Sequence, residues 1–192
     1  LIKKNIKKKK FIRLINNKKK GLGSAIQIGI LKSKKKYVCI FMADLSDDLN
    51  DVKKYYNLIS KRNMDAVFGT RFSKNSRVYN YPLIKLVLNR IFNNIVKLLF
   101  FTNYNDLTNA FKIYKRKTLI KMLPISSENF DVFLELPLKI IIRKGKYIIT
   151  SINWKNRKKG KSNFKIKELS SKYAYTLYRC ILEKYLNIKI SK

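Results

Sequence analysis

Histidine is absent from this 192-residue sequence, which excludes imidazole general bases, imidazole metal ligands and nucleophiles that need a histidine partner. The 2 cysteines, Cys39 and Cys180, make no metal-ligand spacing and no disulfide framework. Cys39 lies in an apolar run, where a buried free thiol is expected. Acidic residues are scarce as well: 11 Asp and Glu stand against 45 Lys and Arg, a formal charge of +34. Acid–base or metal chemistry therefore falls on a small set of carboxylates. No apolar run reaches the ~20 residues of a spanning helix. The longest candidate, Leu83 to Phe101, is interrupted by Lys85, Asn89, Arg90, Asn93, Asn94 and Lys97. It reads as amphipathic, suited to lying on a membrane rather than crossing one. A signal-peptide pattern, an internal repeat and a domain-separating linker are all missing.

What is present suffices for a folded domain. Hydrophobic residues make up 46% of the chain and aromatics 12%, enough to bury one sizeable core. The basic excess suits a polyanionic partner, whether nucleic acid, an acidic membrane face or a phosphorylated ligand. It also accompanies heavy use of Lys, Asn, Ile, Tyr and Phe, residues with AT-rich codons, so the bulk charge reads equally as compositional bias. Segments 1–20 and 155–167 carry the charge of a nucleic-acid binder, yet no nucleic-acid motif accompanies them.

Along the chain, a short apolar run at Phe11 to Ile15 fits a strand, and Gly21-Leu22-Gly23-Ser24 leads into a helix over Ala25 to Leu31. Tyr37 to Met42 is a continuous apolar run with the length of a buried parallel strand. Helical spacing follows over Asp51 to Arg62, then a second buried strand over Asp65 to Gly69. Further helices are expected over Leu83–Phe101, over Phe130–Arg143 with Pro137 near its start or kinking it, and over Ile166–Ile190 as one helix or a pair. Tyr147 to Trp154 reads as a strand entering a basic loop, Asn156 to Ser162. Strand–helix–strand alternation argues for an α/β domain with a mostly parallel sheet. In such sheets ligands bind past the carboxyl ends of the strands, where Asp44 to Asp48 and Arg71 fall.

Asp44, Asp47 and Asp48 crowd carboxylates just past a strand. Such a cluster suits a hard divalent cation that shares its shell with a diphosphate. Asp at that position also caps a following helix, and the two roles are compatible, with Asp44 on a metal and Asp47 or Asp48 capping. Trp154, Phe111, Phe130 and Phe133 read as core residues.

The run Gly21-Leu22-Gly23-Ser24-Ala25 with Gly29, then Met42-Ala43-Asp44-Leu45-Ser46-Asp47-Asp48 and Gly69-Thr70-Arg71, resembles family 2 glycosyltransferases. The likeness is to the dolichol-phosphate mannose synthases and their bacterial polyprenyl-phosphate counterparts. It continues through Asn89-Arg90 with Asn93, Asp106 to Lys112, Phe133-Leu134-Glu135, and Arg157 to Ser162, covering residues 15–165 in one order. The resemblance implies a GT-A, Rossmann-like fold over residues 1–165, with residues 166–192 as an amphipathic helical tail on the domain or membrane. It implies an inverting transfer of a hexose from a GDP- or UDP-sugar to a polyprenyl phosphate, with Mg2+ or Mn2+, at the cytoplasmic face of a membrane and without nucleic acid.

By the same resemblance, Asp44 binds metal and donor together with Asp47 or Asp48. Gly21, Gly23, Arg71, Arg157 and Ser162 contact the donor, and Arg157 clamps its diphosphate. Lys85 and Arg90 face the lipid phosphate, while Asp106 and Glu135 shape the acceptor pocket or support the arginines. A phosphate acceptor is already an anionic nucleophile, so a histidine-free site serves it. A saccharide acceptor, for surface polysaccharide or cell-wall synthesis, would instead require a carboxylate base, with Asp106 the candidate. A non-catalytic basic module at a membrane or on nucleic acid stands as the reading from another class.

Three departures from the family pattern stand out. Met42 occupies the place of a first Asp, Asn163 replaces a frequent Lys, and nothing matches the family's opening strands that hold the donor base. With Leu1 in place of Met, these strands are expected to be missing from a fragment.

Overall fold

The computed structural model describes residues 11–157 and 166–187. Elements in chain order are α1 (Leu22–Lys32), β1 (Tyr37–Ile40), α2 (Leu49–Lys61), β2 (Ala66–Thr70), β3 (Val78–Tyr79) and α3 (Leu83–Phe100). Then follow β4 (Lys112–Lys115), α4 (Arg116–Ile120), α5 (Val132–Ile142), β5 (Tyr147–Ser151), β6 (Trp154–Lys155) and α6 (Ile166–Leu186).

The main sheet has the order β1-β4-β2-β5. β2 and β5 pair in parallel, while β4 runs antiparallel to both β1 and β2. Three strands therefore share a direction with a reversed one among them. Side chains alternate faces as a pleated strand requires. Ala66, Phe68 and Tyr114 enter the core beneath α1, α3, α5 and α6. Val67, Ile113 and Ile152 enter the opposite core with Tyr55 and Ile59 of α2.

Several sequence expectations change. The apolar run at β1 is half-buried and antiparallel to its partner, because β1 lies at the sheet's edge. Phe11 to Ile15 is exposed and outside any strand, since no described strand pairs with it. The expected Tyr147–Trp154 strand divides into β5 and β6, which belong to different sheets. Strand β4 was not foreseen, because Lys112 and Lys115 flank its short apolar centre. Pro137 sits inside α5, where its missing N–H leaves the Phe133 carbonyl without a helix donor. The buried Lys112 ammonium donates to that carbonyl at 3.3 Å. The last helix is single and packs against α5, with Thr176 donating to Asp131 and Tyr173 to the Phe130 carbonyl. Residues 188–190 of the expected helix lie outside the described residues.

Among the described residues no helix is long and apolar enough to cross a membrane.

Candidate active site

The small β3–β6 sheet assembles the end of the molecule where the sequence places chemistry. Val78 pairs with Trp154 and Tyr79 with Lys155 in parallel. On its other side β6 meets the acidic loop: Asp47 bridges Trp154, and the Lys155 amide donates to the Ser46 carbonyl at 2.9 Å. Asn156 closes the arrangement by donating its amide to Tyr79 at 3.0 Å. The acidic loop, the segment after β2 and the start of the basic loop are thereby tied together. Arg157, half-buried, directly follows. Lys158 to Lys161 and the predicted donor residue Ser162 lie outside the described residues.

The three clustered aspartates separate by role. Asp44 is exposed, and its Oδ1 accepts from the Ser46 hydroxyl at 2.7 Å and amide at 3.2 Å. Asp48 Oδ1 accepts from the Asn50 amide at 2.9 Å as the N-cap of α2, the capping role that the sequence offers it beside a metal role. Asp47 is buried, and its Oδ1 has no hydrogen-bond partner among the described residues. Burial pushes the Asp47 carboxyl up to about 7; the Arg71 charge opposes this, and Asp44 and Asp106 add to it.

No group of three acidic or cysteine side chains among the described residues could hold an ion unaided. Asp44 and Asp47 nevertheless fit a hard cation whose shell is completed by diphosphate and water. Such an ion would give the orphaned Asp47 oxygen a partner and relieve the repulsion between the two carboxylates.

Arg71 and Asp106 form the most buried ion pair here. The Arg71 Nε donates to Asp106 Oδ2 at 2.9 Å and Nη2 to Oδ1 at 2.7 Å, while the Arg71 amide donates to Oδ2 at 3.0 Å. The guanidinium lies 5.4–5.7 Å from the ring centroids of Phe72, Tyr81 and Trp154. Asp106 is fully buried, and both its oxygens are engaged. A general-base role for Asp106 therefore does not fit: the carboxylate is spoken for and out of reach of solvent. Its effect is to fix Arg71, whose guanidinium is enclosed rather than open to a ligand. Trp154, expected in the core, is half-buried and packs on Tyr81 at 5.0 Å between centroids.

The two predicted acceptor residues lie on α3. Arg90 donates from Nη1 to the Asn105 carbonyl at 2.8 Å and rests over Phe72 at 4.4 Å. Lys85 is half-buried in the first turn of the same helix. Asn89 and Asn93 both donate to Thr108 Oγ1, at 2.8 and 3.1 Å, so α3 is fastened to the segment carrying Asp106.

Gly21 and Gly23 serve packing in this arrangement. A Cβ at Gly23 would stand 1.8 Å from the Ser127 carbonyl oxygen, and one at Gly21 2.7 Å from that of Glu128. Gly21 also has φ 115, a conformation that favours glycine. The two glycines let α1 begin against the 127–128 backbone. Glu135 does not support the arginines. It accepts from the Ser126 and Ser127 amides and pairs with Lys139, and burial is outweighed by Lys139, so its carboxyl stays below the usual range.

The sequence assigns Lys112 no role. Its fully buried ammonium donates to the carbonyls of Leu107, Asn109 and Phe133. Burial pulls it down to about 7. Asn105 and the Phe72–Tyr81–Trp154 cage were missed too. Only the Asn before Asp106 and the aromatics after Arg71 hinted at them.

Residues 1–123 match the model of the family described as Glycosyl transferase family 2. Among solved structures, the chain is similar to glucosyl-3-phosphoglycerate synthase from Mycobacterium tuberculosis in complex with uridine diphosphate. The TM-score is 0.61 at 15% identity, over 92% of this chain and 58% of that one. The same synthase with Mn2+, uridine diphosphate and glucosyl-3-phosphoglycerate matches at a TM-score of 0.60 and 13% identity, over 92% and 58%. Its complex with Mg2+ and uridine diphosphate matches at 0.60 and 16%, over 90% and 57%. The likeness is that of a GT-A fold, and the chain spans less than two thirds of the length of these structures.

Proposed function

The chain belongs to glycosyl transferase family 2, and we propose that it moves a hexose from a nucleotide-diphosphate sugar to a polyprenyl phosphate at the cytoplasmic face of a membrane. The observation that carries the donor half is the drawing together of the Asp44–Asp47 loop, the Arg71 segment and the Arg157 strand end by β6. In this reading a phosphate oxygen of the acceptor attacks the anomeric carbon as the bond to the donor diphosphate breaks, and the nucleoside diphosphate departs. Attack from the opposite face inverts the centre. No proton need be removed from the nucleophile, which agrees with a chain that lacks histidine and whose Asp106 is occupied.

Asp44 and Asp47 would hold Mg2+ or Mn2+, which supplies positive charge to the leaving diphosphate. Arg157 grips that diphosphate from the strand end. The solved relatives with Mn2+ or Mg2+ and uridine diphosphate support the donor and ion assignments. The same synthase with Mn2+ and uridine-diphosphate-glucose holds phosphoglyceric acid, and a phosphate-bearing molecule beside the donor is the feature that it shares with this proposal.

The lipid acceptor is favoured by α3. Leu83, Ile84, Val87, Leu88, Ile91, Ile95 and Leu98 are each 45–72% exposed along one helix, which also carries the half-buried Asn89 and Arg90 and the buried Asn93. An apolar outer face on a strongly basic chain suits an in-plane position on an anionic bilayer, with Arg90 near the level of lipid phosphates.

The test is titration of GDP-mannose and UDP-glucose into the intact protein with and without Mn2+, beside Asp44→Ala. Ion-dependent binding of one donor, lost in the variant, is expected. A well-folded protein that binds neither, with Asp44→Ala indistinguishable from wild type, would overturn the transferase reading.

A further inference from the structure

We propose that Asn105 is a positioning residue that sets Arg90 against the acceptor phosphate and fixes its spacing from Arg71; this rests on the reading above that Arg90 meets that phosphate. Among the described residues Arg90 forms no ion pair within 4.0 Å. Its charge is therefore available to an anion, and neutral contacts orient it. Two of these are the Asn105 carbonyl, 2.8 Å from Nη1, and the face of Phe72, 4.4 Å from the guanidinium carbon.

The Asn105 side chain governs both. Its Nδ2 donates to the Phe72 carbonyl at 3.0 Å, which places the ring. Its Oδ1 accepts from Thr70 Oγ1 at 2.6 Å, which holds residue 105 against the end of β2. Thr70 Oγ1 in turn accepts from the Phe72 amide at 3.1 Å. Asp106, the next residue, grips Arg71, and the Arg71 guanidinium lies 5.4 Å from the same Phe72 ring. One dipeptide thus contacts two guanidinium groups that both lie near one ring. Two like charges repel and would drift apart if held only by flexible stems. Here one is neutralised by Asp106 and the other is held by a carbonyl and a ring face.

The residues on either side of Asn105 have tertiary bonds of their own. Tyr104 on one side donates to the Gly69 carbonyl and Asp106 on the other keeps its bonds to Arg71. Asn105→Ala should therefore leave the chain folded while Arg90 loses its alignment.

The experiment uses the intact protein, with farnesyl phosphate as the acceptor probe and the nucleotide found to bind as the donor probe. Arg90→Gln is expected to weaken farnesyl phosphate at least about tenfold, the scale of a charge-assisted hydrogen bond. Asn105→Ala should weaken it about fivefold to tenfold, with nucleotide affinity within about twofold of wild type. Thr70→Val removes the hydroxyl at nearly constant shape and should give a similar loss, whereas Thr70→Ser should restore wild-type binding. That rescue separates positioning from a general loss of packing. If Arg90→Gln weakens the probe but Asn105→Ala and Thr70→Val do not, the positioning role is wrong and the acceptor reading survives. If Arg90→Gln has no effect, or the wild type does not bind the probe, the acceptor reading fails and takes this proposal with it. Parallel loss of both ligands together with a lowered unfolding midpoint would also overturn it, because Asn105 would then serve only the fold.

Discussion

Replacing Asp106 by Asn separates a structural anchor from a catalytic base. The Asp106 carboxylate is fully buried and accepts three hydrogen bonds from Arg71, at 2.7, 2.9 and 3.0 Å. The Arg71 side chain is 9% exposed. Asn keeps the shape but removes the charge and turns one acceptor into a donor facing the guanidinium. Breaking one side of a buried ion pair costs roughly 3–5 kcal/mol, because the remaining charge stays desolvated. That is a large part of the ~5–15 kcal/mol by which domains are stable. For a chain of this size it lowers Tm by roughly 6–20 °C. Urea unfolding followed by circular dichroism measures the loss, with an unchanged slope expected if both chains unfold between the same two states. The double variant Arg71→Met, Asp106→Leu should recover part of it, since replacing both charges by apolar groups removes the uncompensated one. A wild-type unfolding midpoint for Asp106→Asn, accompanied by a large fall in turnover, would refute the anchor argument and return Asp106 to catalysis.

Lys112 binds its proton less tightly in the folded state, at about 7 against an ordinary 10.5. The unfolded chain therefore holds the extra proton between those values, and folding stability should fall as pH drops from ~10 to ~7, by at most ~1.4 kcal/mol per unit from this group. Lys112→Met should abolish that slope, and denaturant midpoints that fall equally in both chains would refute the assignment. On α3, Ile91→Asp with Ile95→Asp should reduce partition onto anionic vesicles at least about a hundredfold, since each apolar side chain contributes ~1.5–3 kcal/mol when buried. Sedimentation with vesicles measures this. Unchanged partition would mean that the stripe does not face lipid.

The parts of the fold that could be read from the sequence are those whose signal is local and periodic. α2 and α3 emerged close to their observed bounds because apolar residues recur at helical spacing, and β2 because Ala66 to Gly69 is apolar throughout and buried on both faces. β4 carries no such signal. Its first residue, Lys112, looks like surface, and only the fold reveals that three carbonyls surround its ammonium, one of them left without a helix donor by Pro137. The site divides similarly. The rule that ligands lie past strand ends located Asp44, Asp47 and Arg71. What that rule could not supply is the partner of each group. Arg71 read as a ligand for phosphates because Asp106, 35 residues away along the chain, has no sequence mark of its attachment. Gly21 and Gly23 read as donor-binding for the same reason: their contact with the 127–128 backbone is a tertiary fact.

Those partners also sharpen the choice of reactive groups. A chain with 11 acidic residues has few to place, and most of the described carboxylates are fastened to distant parts of the fold or to a helix end. Asp51 accepts from the Asn153 amide, Asp65 from Thr118 and the Lys146 amide, and Asp106 from Arg71. Asp131 accepts from Thr176, Glu135 from the Ser126 and Ser127 amides, and Glu183 from Arg143, while Asp48 caps α2. Asp44 is engaged only within its own turn by Ser46, and Asp47 keeps a buried oxygen without a partner among the described residues. Folded chains rarely leave a buried carboxylate oxygen unsatisfied, because its desolvation is not repaid. A cation bound with a donor diphosphate would repay it, and the same ion could draw on Asp44, which the fold leaves facing solvent. The partners of these seven carboxylates thus point to the pair that the spacing of the acidic loop singles out, by a route that does not use the family resemblance.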